Sequence, residues 1–306
     1  MKKIVNNTHL EGYLFSHTLE KKVSGDTAKT PGVEFIAGTL DIATDDDAMN
    51  VVPVNFRYVV AKTKAGKTNA TYTTLLNIIE HGAGKTYQDV KTDAIKLKVD
   101  TALGLNDFYS AENDLVSYKI NDGGFVHVIN SFSTDRNSFQ LDVLIMNTIM
   151  READEDAGKE ELLIVKGATF NFMNSILPID LVVKDPAGMK WFENLEATPA
   201  NPIFMKVWGN ILASTVETQT VEESAFGEAA VKISTRRLRE WVITGASTEP
   251  YAYGDEAVLT PEEVSAAVAA REVYLADVKR RHDEYMASKS GNATTAPTPK
   301  AAGFAF

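Results

Sequence analysis

Lysines two residues apart and aromatics set beside arginines are the groups of this chain whose spacing could do chemistry. In Ile95-Lys96-Leu97-Lys98-Val99 the two lysines share one face of a strand, because side chains alternate sides along an extended backbone. Between Val54 and Val59, Tyr58 shares its parity with Phe56, while Arg57 lies on the other side with Asn55. Lys62, Lys64 and Lys67 follow in a glycine-containing loop, and Tyr72 opens the next helical segment. Further on, Lys206 and Trp208 share a face, and the stretch from Lys232 to Trp241 sets Arg236, Arg237 and Arg239 beside the Trp241 indole. Cations meet repeating phosphates and rings stack on any base, so a groove of these residues holds a nucleic-acid single strand without reading its sequence. The same pattern also describes the charged solvent face and aromatic core of an ordinary β-barrel.

Other chemistries are poorly served. The chain has no cysteine, which removes disulfides, thiolate metal sites and cysteine nucleophiles. His81-Gly82-Ala83-Gly84-Lys85-Thr86 resembles the end of a phosphate loop, but Ile79 stands where the first glycine belongs and a helix precedes it, so it reads as a helix end. Asp45-Asp46-Asp47 lacks the alternating ligands and distal glutamate of a calcium loop. The five histidines show no metal-ligand spacing, and no Gly-x-Ser-x-Gly elbow occurs. The expectation is a protein that is not an enzyme and takes no metal or cofactor.

The 306 residues carry a net charge of −11, but unevenly. From Arg57 to Lys98 eight basic residues face three acids, whereas residues 151 to 161 are rich in acids and read as a solvated linker. No apolar run is long enough to span a membrane.

The elements that must position these groups are written twice in the sequence when their order is compared. Phe35-Ile36-Ala37-Gly38, the Pro53 strand and the helical Leu75–Glu80 return as Ile164-Val165-Lys166-Gly167, the Pro178 strand and Trp191–Glu196, and each set continues into a strand with a Lys-Val pair. Strand, strand, helix, strand, strand, twice, predicts a mainly β chain with inserted helices. The expected units are residues 1–154 and 155–258, a helix over 259–289 begun by Thr260-Pro261-Glu262-Glu263, and a disordered tail over 290–306. Polar residues 1–12 read as an arm, and Asn121-Asp122-Gly123-Gly124 as a hairpin turn.

Gly38-Thr39-Leu40 leading to Val52-Pro53-Val54-Asn55-Phe56, then a basic loop, a helix and strands, resembles an OB-fold. A tandem pair of such barrels with a tail ending in phenylalanine is similar to phage and prophage single-stranded DNA-binding proteins. That resemblance implies single-stranded DNA as partner, a role in replication or recombination, and a location in the cytoplasm of a bacterial host. It also implies docking of replication or recombination proteins on Phe304 and Phe306, although this tail lacks the acids usual in that family. Two readings stay open beside it: a self-associating phage structural or assembly protein, and a metal-dependent nucleic-acid-processing enzyme.

Overall fold

The computed structural model describes residues 4–26, 28, 30–154, 159–173, 175–222, 230–252 and 258–291, with the backbone alone for 214–222, 230–237 and 290–291. The segment expected to be an N-terminal arm is instead a strand, β1 (Asn6–His17), with Leu10 and Leu14 fully buried. A four-residue edge strand, β2 (Glu20–Val23), precedes the antiparallel pair β3 (Glu34–Ala43) and β4 (Val51–Val60). Helix α1 (Ala70–His81) begins at Asn69, whose side chain accepts the Thr71 amide and satisfies a donor that the first turn leaves open. It buries Tyr72, Leu75 and Ile78. The short α2 (Tyr87–Val90) leads to β5 (Lys96–Tyr109) and β6 (Leu115–Val128).

The second half runs β7 (Asn137–Arg151), β8 (Leu162–Phe170), β9 (Ile176–Val183), helix α3 (Pro186–Glu193), β10 (Ile203–Glu222) and β11 (Ala230–Ala246). Asp185 caps α3 by accepting the Gly188 amide, and Pro186 occupies the first turn, where no donor is lost.

Strand pairing closes each half on itself. The first circuit is β1–β3–β4–β6–β5 and back to β1; the second is β7–β8–β9–β11–β10 and back to β7. In both, the third and fifth strands are parallel and all other neighbours antiparallel, and a helix sits between the third and fourth strands. This is the order of a five-stranded OB-type barrel. Gly38 and Gly167 lie on the second strand of each circuit, where a Cβ would run into the carbonyls of Thr18 and Leu144 respectively, so both mark places where backbones approach closely.

The circuits are joined through their first strands, since Asn6–Leu10 of β1 pairs antiparallel with Asn137–Leu141 of β7. The eleven strands of the described residues thus form one continuous sheet. One apolar cluster runs through both, from Leu10 and Leu40 to Phe139, Leu181 and Ile243. The expected boundary at 154/155 falls in the connection between β7 and β8, inside the second circuit. Asn121-Asp122-Gly123-Gly124 is not a turn but part of β6; the hairpin turns at 110–114 instead. Gly123 and Gly124 have φ of 67° and 119°, and a Cβ at Gly124 would strike the Asp100 carbonyl, so turn-type residues here serve a bulge.

Helix α4 (Pro261–Gly291) begins with a reciprocal cap: the Glu263 amide donates to Thr260 Oγ1 and the Thr260 amide to Glu263 Oε2. Ala267, Arg271 and Val278 are its buried positions, while Val268 and Tyr285 are exposed. The expected tail falls almost wholly outside the described residues. No described helix is long and apolar enough to cross a membrane.

Candidate nucleic-acid interface

Each circuit extends the hairpin of its fourth and fifth strands over the second and third strands of the other. The β5–β6 hairpin of the first reaches the second, where the Lys119 ammonium donates to the Asp180 carbonyl on β9. Between them lies a cavity of about 650 Å³, lined by Tyr118 and Lys119 on the hairpin and by Lys166, Pro178 and Asp180 on β8 and β9. In return β10 and β11 lean over β3 and β4. The Asn50 side chain, just before β4, donates to the Ile211 carbonyl at 3.0 Å and accepts the Ala213 amide at 2.6 Å. Two further cavities of about 330 and 410 Å³ open there, with Asp41 and Pro53 on one wall and Ala213 on the other. Arg239 lines all three cavities, and Tyr118, Lys119 and Trp241 line two, so they form one cleft between the circuits.

Each hairpin places a residue of its fifth strand in this cleft. On the parallel pairs, Asn121 stands opposite Val54 and Val242 opposite Val182. Three residues earlier on each fifth strand come Tyr118 and Arg239. A ring from one hairpin and a guanidinium from the other thus line the same cleft.

Charge in the cleft is mainly positive. Arg239 and Lys166 are exposed and make no ion pair with a described residue. Lys119 is half-buried; burial pulls its pKa below the ordinary lysine value, while the nearby Asp180 and Glu240 act the other way. Asp41 accepts a hydrogen bond from Ser16 Oγ at 2.6 Å. Arg271 reaches the cleft from α4 but is bound to Asp107 at 2.8 Å, which cancels its charge locally. Tyr118 is exposed, edge-on to Phe108 at 6.2 Å, and its hydroxyl accepts from Asn106.

The residues singled out in the sequence do not gather in one place. Arg239 lines the cleft. Trp241 touches it only at an edge, since it is 4 % exposed and packs on Phe139 at 5.1 Å, so it is a core residue and not a free platform. Arg236 and Arg237 lie on β11 opposite Val216 and Thr215, with side chains outside the described residues. Lys62, Lys64 and Lys67 stand exposed on the loop before α1.

Arg57 and Tyr58 are both exposed although parity predicted opposite sides. Ile36 pairs with Val59 but Gly38 with Phe56, so two residues of β4 face the single Ala37, and this bulge turns both outward. Arg57 is held by Asp122 at 3.2 Å and by the Leu105 carbonyl, and Tyr58 lies against Phe35. Tyr72 is 7 % exposed and unavailable to a base. Its hydroxyl donates to Glu34 at 2.5 Å, and chiefly this bond pushes its pKa up to about 12.

Lys96, Lys98, Lys206 and Trp208 gather on the sheet that joins the circuits, away from the cleft. Phe304 and Phe306 lie outside the described residues. Tyr118, Lys119 and Lys166 were missed. The first two sit on β6 just before the glycines that read as a turn, and Lys166 was read only as part of a repeated strand.

Two solved structures of single-stranded DNA-binding protein from Thermus aquaticus are similar to this chain: the wild type at 10% identity and a deletion mutant at 11%. Each has a TM-score of 0.47, with 85% of this chain and 98% of the other covered. Among curated proteins no relative is found. The YorF family model matches residues 4–281, nearly the whole described chain, and the protein belongs to the YorF family.

Proposed function

We propose that this protein binds single-stranded DNA without sequence preference, along the cleft between its two circuits. The observation that carries the reading is the crossed placement of the hairpins. OB barrels hold oligonucleotides on the face of their second and third strands beside the loop joining the fourth and fifth. Here that face of each circuit is walled by the other circuit's hairpin, which brings Tyr118, Lys119 and Arg239 to it. Lys166 and Arg239 supply phosphate contacts and Tyr118 a ring for stacking, which is the combination that tolerates any sequence. The net charge of −11 is compatible with this because the cations are concentrated where the strand would run.

The same proposal carries the finer setting: phage DNA replication or recombination in a bacterial cell, no catalysis, and protein partners reached through Phe304 and Phe306. The exposed Lys62, Lys64 and Lys67 loop extends the basic path beyond the cleft.

Titration of a fluorescent poly-pyrimidine oligonucleotide at two salt concentrations tests it. Affinity falls with salt by about 0.7 in log–log slope for each phosphate contact, so Arg239→Ala with Lys166→Ala lowers the slope by about 1.4. Tyr118→Ala weakens binding by about 1 to 3 kcal/mol. A wild-type protein that binds no oligonucleotide at low salt overturns the reading.

A further inference from the structure

The sheet that joins the circuits has a second face, and its chemistry is not that of a solvated barrel surface. Directly opposite residues of antiparallel neighbours point to the same side. Thr8 and Leu10 of β1 and Phe139 and Leu141 of β7 point to the cores, so the alternating residues Asn7, His9, Ser138 and Gln140 point away from them. The same side receives Asp100 of β5, paired with His9, then Phe125 of β6, paired with Asp100, and Trp208 of β10, paired with Gln140. A shallow trough of about 590 Å³ runs across this face, with Asn7, Gln140 and Phe125 among its lining.

Two aromatic rings stand on it. Phe125 is 69 % exposed and Trp208 39 %, and neither has an aromatic neighbour among the described residues. Trp208 is nevertheless held in place: its indole lies across Gly245, where a Cβ would strike the ring. Four strand spacings separate the two rings, about 20 Å along the sheet. Acids on this face have partners: Asp100 is hydrogen-bonded to His9 at 2.7 Å and lies 3.9 Å from the Lys98 ammonium, and Asp122 is held by Arg57 at 3.2 Å. Lys96 and Lys206 add cations near its ends.

We infer that this face is a second contact surface for the same DNA strand, stacking bases on Phe125 and Trp208 once the strand leaves the cleft. The inference rests on the cleft reading for its ligand, because the polar floor between two unpartnered rings suits bases with hydrogen-bonding edges better than an apolar protein partner. Its consequence is a long binding site that wraps from one side of the joined sheet to the other.

The test compares a short oligo-dT of about 8 nucleotides, within the range one OB barrel holds, with a much longer one. In the full-length protein, Phe125→Ala with Trp208→Ala leaves short-oligonucleotide affinity unchanged, weakens the long one at least tenfold and shortens the occluded length. Trp208→Phe alone removes most of the tryptophan quenching seen with long oligo-dT. Both rings are largely outside the core, and near-ultraviolet circular dichroism verifies the fold of each variant. Unchanged long-oligonucleotide affinity and occluded length in the double variant overturn the inference. If the wild type binds long but not short oligonucleotide, the cleft reading fails, while loss of long-oligonucleotide binding in the double variant still supports this surface.

Discussion

Asn50 holds Ala213 across 163 positions of sequence, accepting its amide at 2.6 Å while donating to the Ile211 carbonyl at 3.0 Å. One side chain thereby acts as a length of strand beside β10. Asn137 does the same from the other direction, donating to the Ile211 carbonyl at 2.7 Å and accepting the Ile211 amide at 3.1 Å. Asn50 fastens β10 to the first circuit while Asn137, at the start of β7, fastens it within its own, and Ala213 borders the cleft where Asn50 holds it.

Asn50→Ala leaves the Ala213 amide without its partner and costs about 1 to 3 kcal/mol. The expected result is a lower denaturant midpoint together with faster oligonucleotide release. Asn50→Asp keeps the acceptor and loses the donor, and its midpoint falls between the two.

Helix α4 is fastened by the buried pair of Arg271 and Asp107. Removing one partner leaves an uncompensated charge, so Arg271→Met costs about 3 to 5 kcal/mol. Arg271→Met with Asp107→Leu recovers most of that loss in urea unfolding. A single variant as stable as the wild type would show that α4 is held by its apolar contacts alone.

His17 gives the fold a pH dependence. Burial lowers its pKa, Asp41 opposes the shift, and its Nδ1 is buried without a hydrogen-bond partner among the described residues. The unfolded chain takes up its proton near pH 6.5, whereas the folded chain resists until lower pH. The contribution is therefore complete above about pH 6.5 and is lost as the pH falls below it. Melting temperature should drop between pH 7 and pH 5, and His17→Gln should flatten that slope.

Tyr72 is tied to Glu34 inside the first circuit, so it serves the fold and not the ligand. Tyr72→Phe is expected to leave oligonucleotide affinity unchanged and to remove the phenol that titrates at about 12. It also releases Glu34, whose carboxyl that hydrogen bond chiefly holds below the ordinary value. Carboxyl titration followed by NMR would show the Glu34 midpoint rising.

The repeated order of elements was legible because its punctuation is physical. Gly38 and Gly167 sit where a Cβ has no room, and α1 and α3 begin at Asn69 and Asp185, which cap them. Strand β1 was illegible for the opposite reason. Its polar residues look like an arm, but Asn6 bridges the two halves, donating to the Leu103 and Phe170 carbonyls and accepting the Leu103 amide. A polar composition hid a central strand, at whose start the Asn6 side chain stands in for backbone pairing. Face assignments failed at Arg57 and Tyr58, where the bulge breaks the period of two. The cleft was invisible because Tyr118, Lys166 and Arg239 meet only when hairpins from distant parts of the chain cross.

The pairing of β1 with β7 also gives assembly a direction in time. Every strand of the first circuit has been made by Val128, so that circuit can close while the ribosome is still synthesising the second half, at about 5 to 20 residues per second. The stretch Asn6–Leu10 is then an open edge, ready as a template when β7 emerges. Strand β11 is the last of the described strands to be made; it shuts the second circuit and lays Arg239 over the first. The nascent chain thus acquires its cleft as the second circuit closes, and Arg271 of α4 completes the lining last.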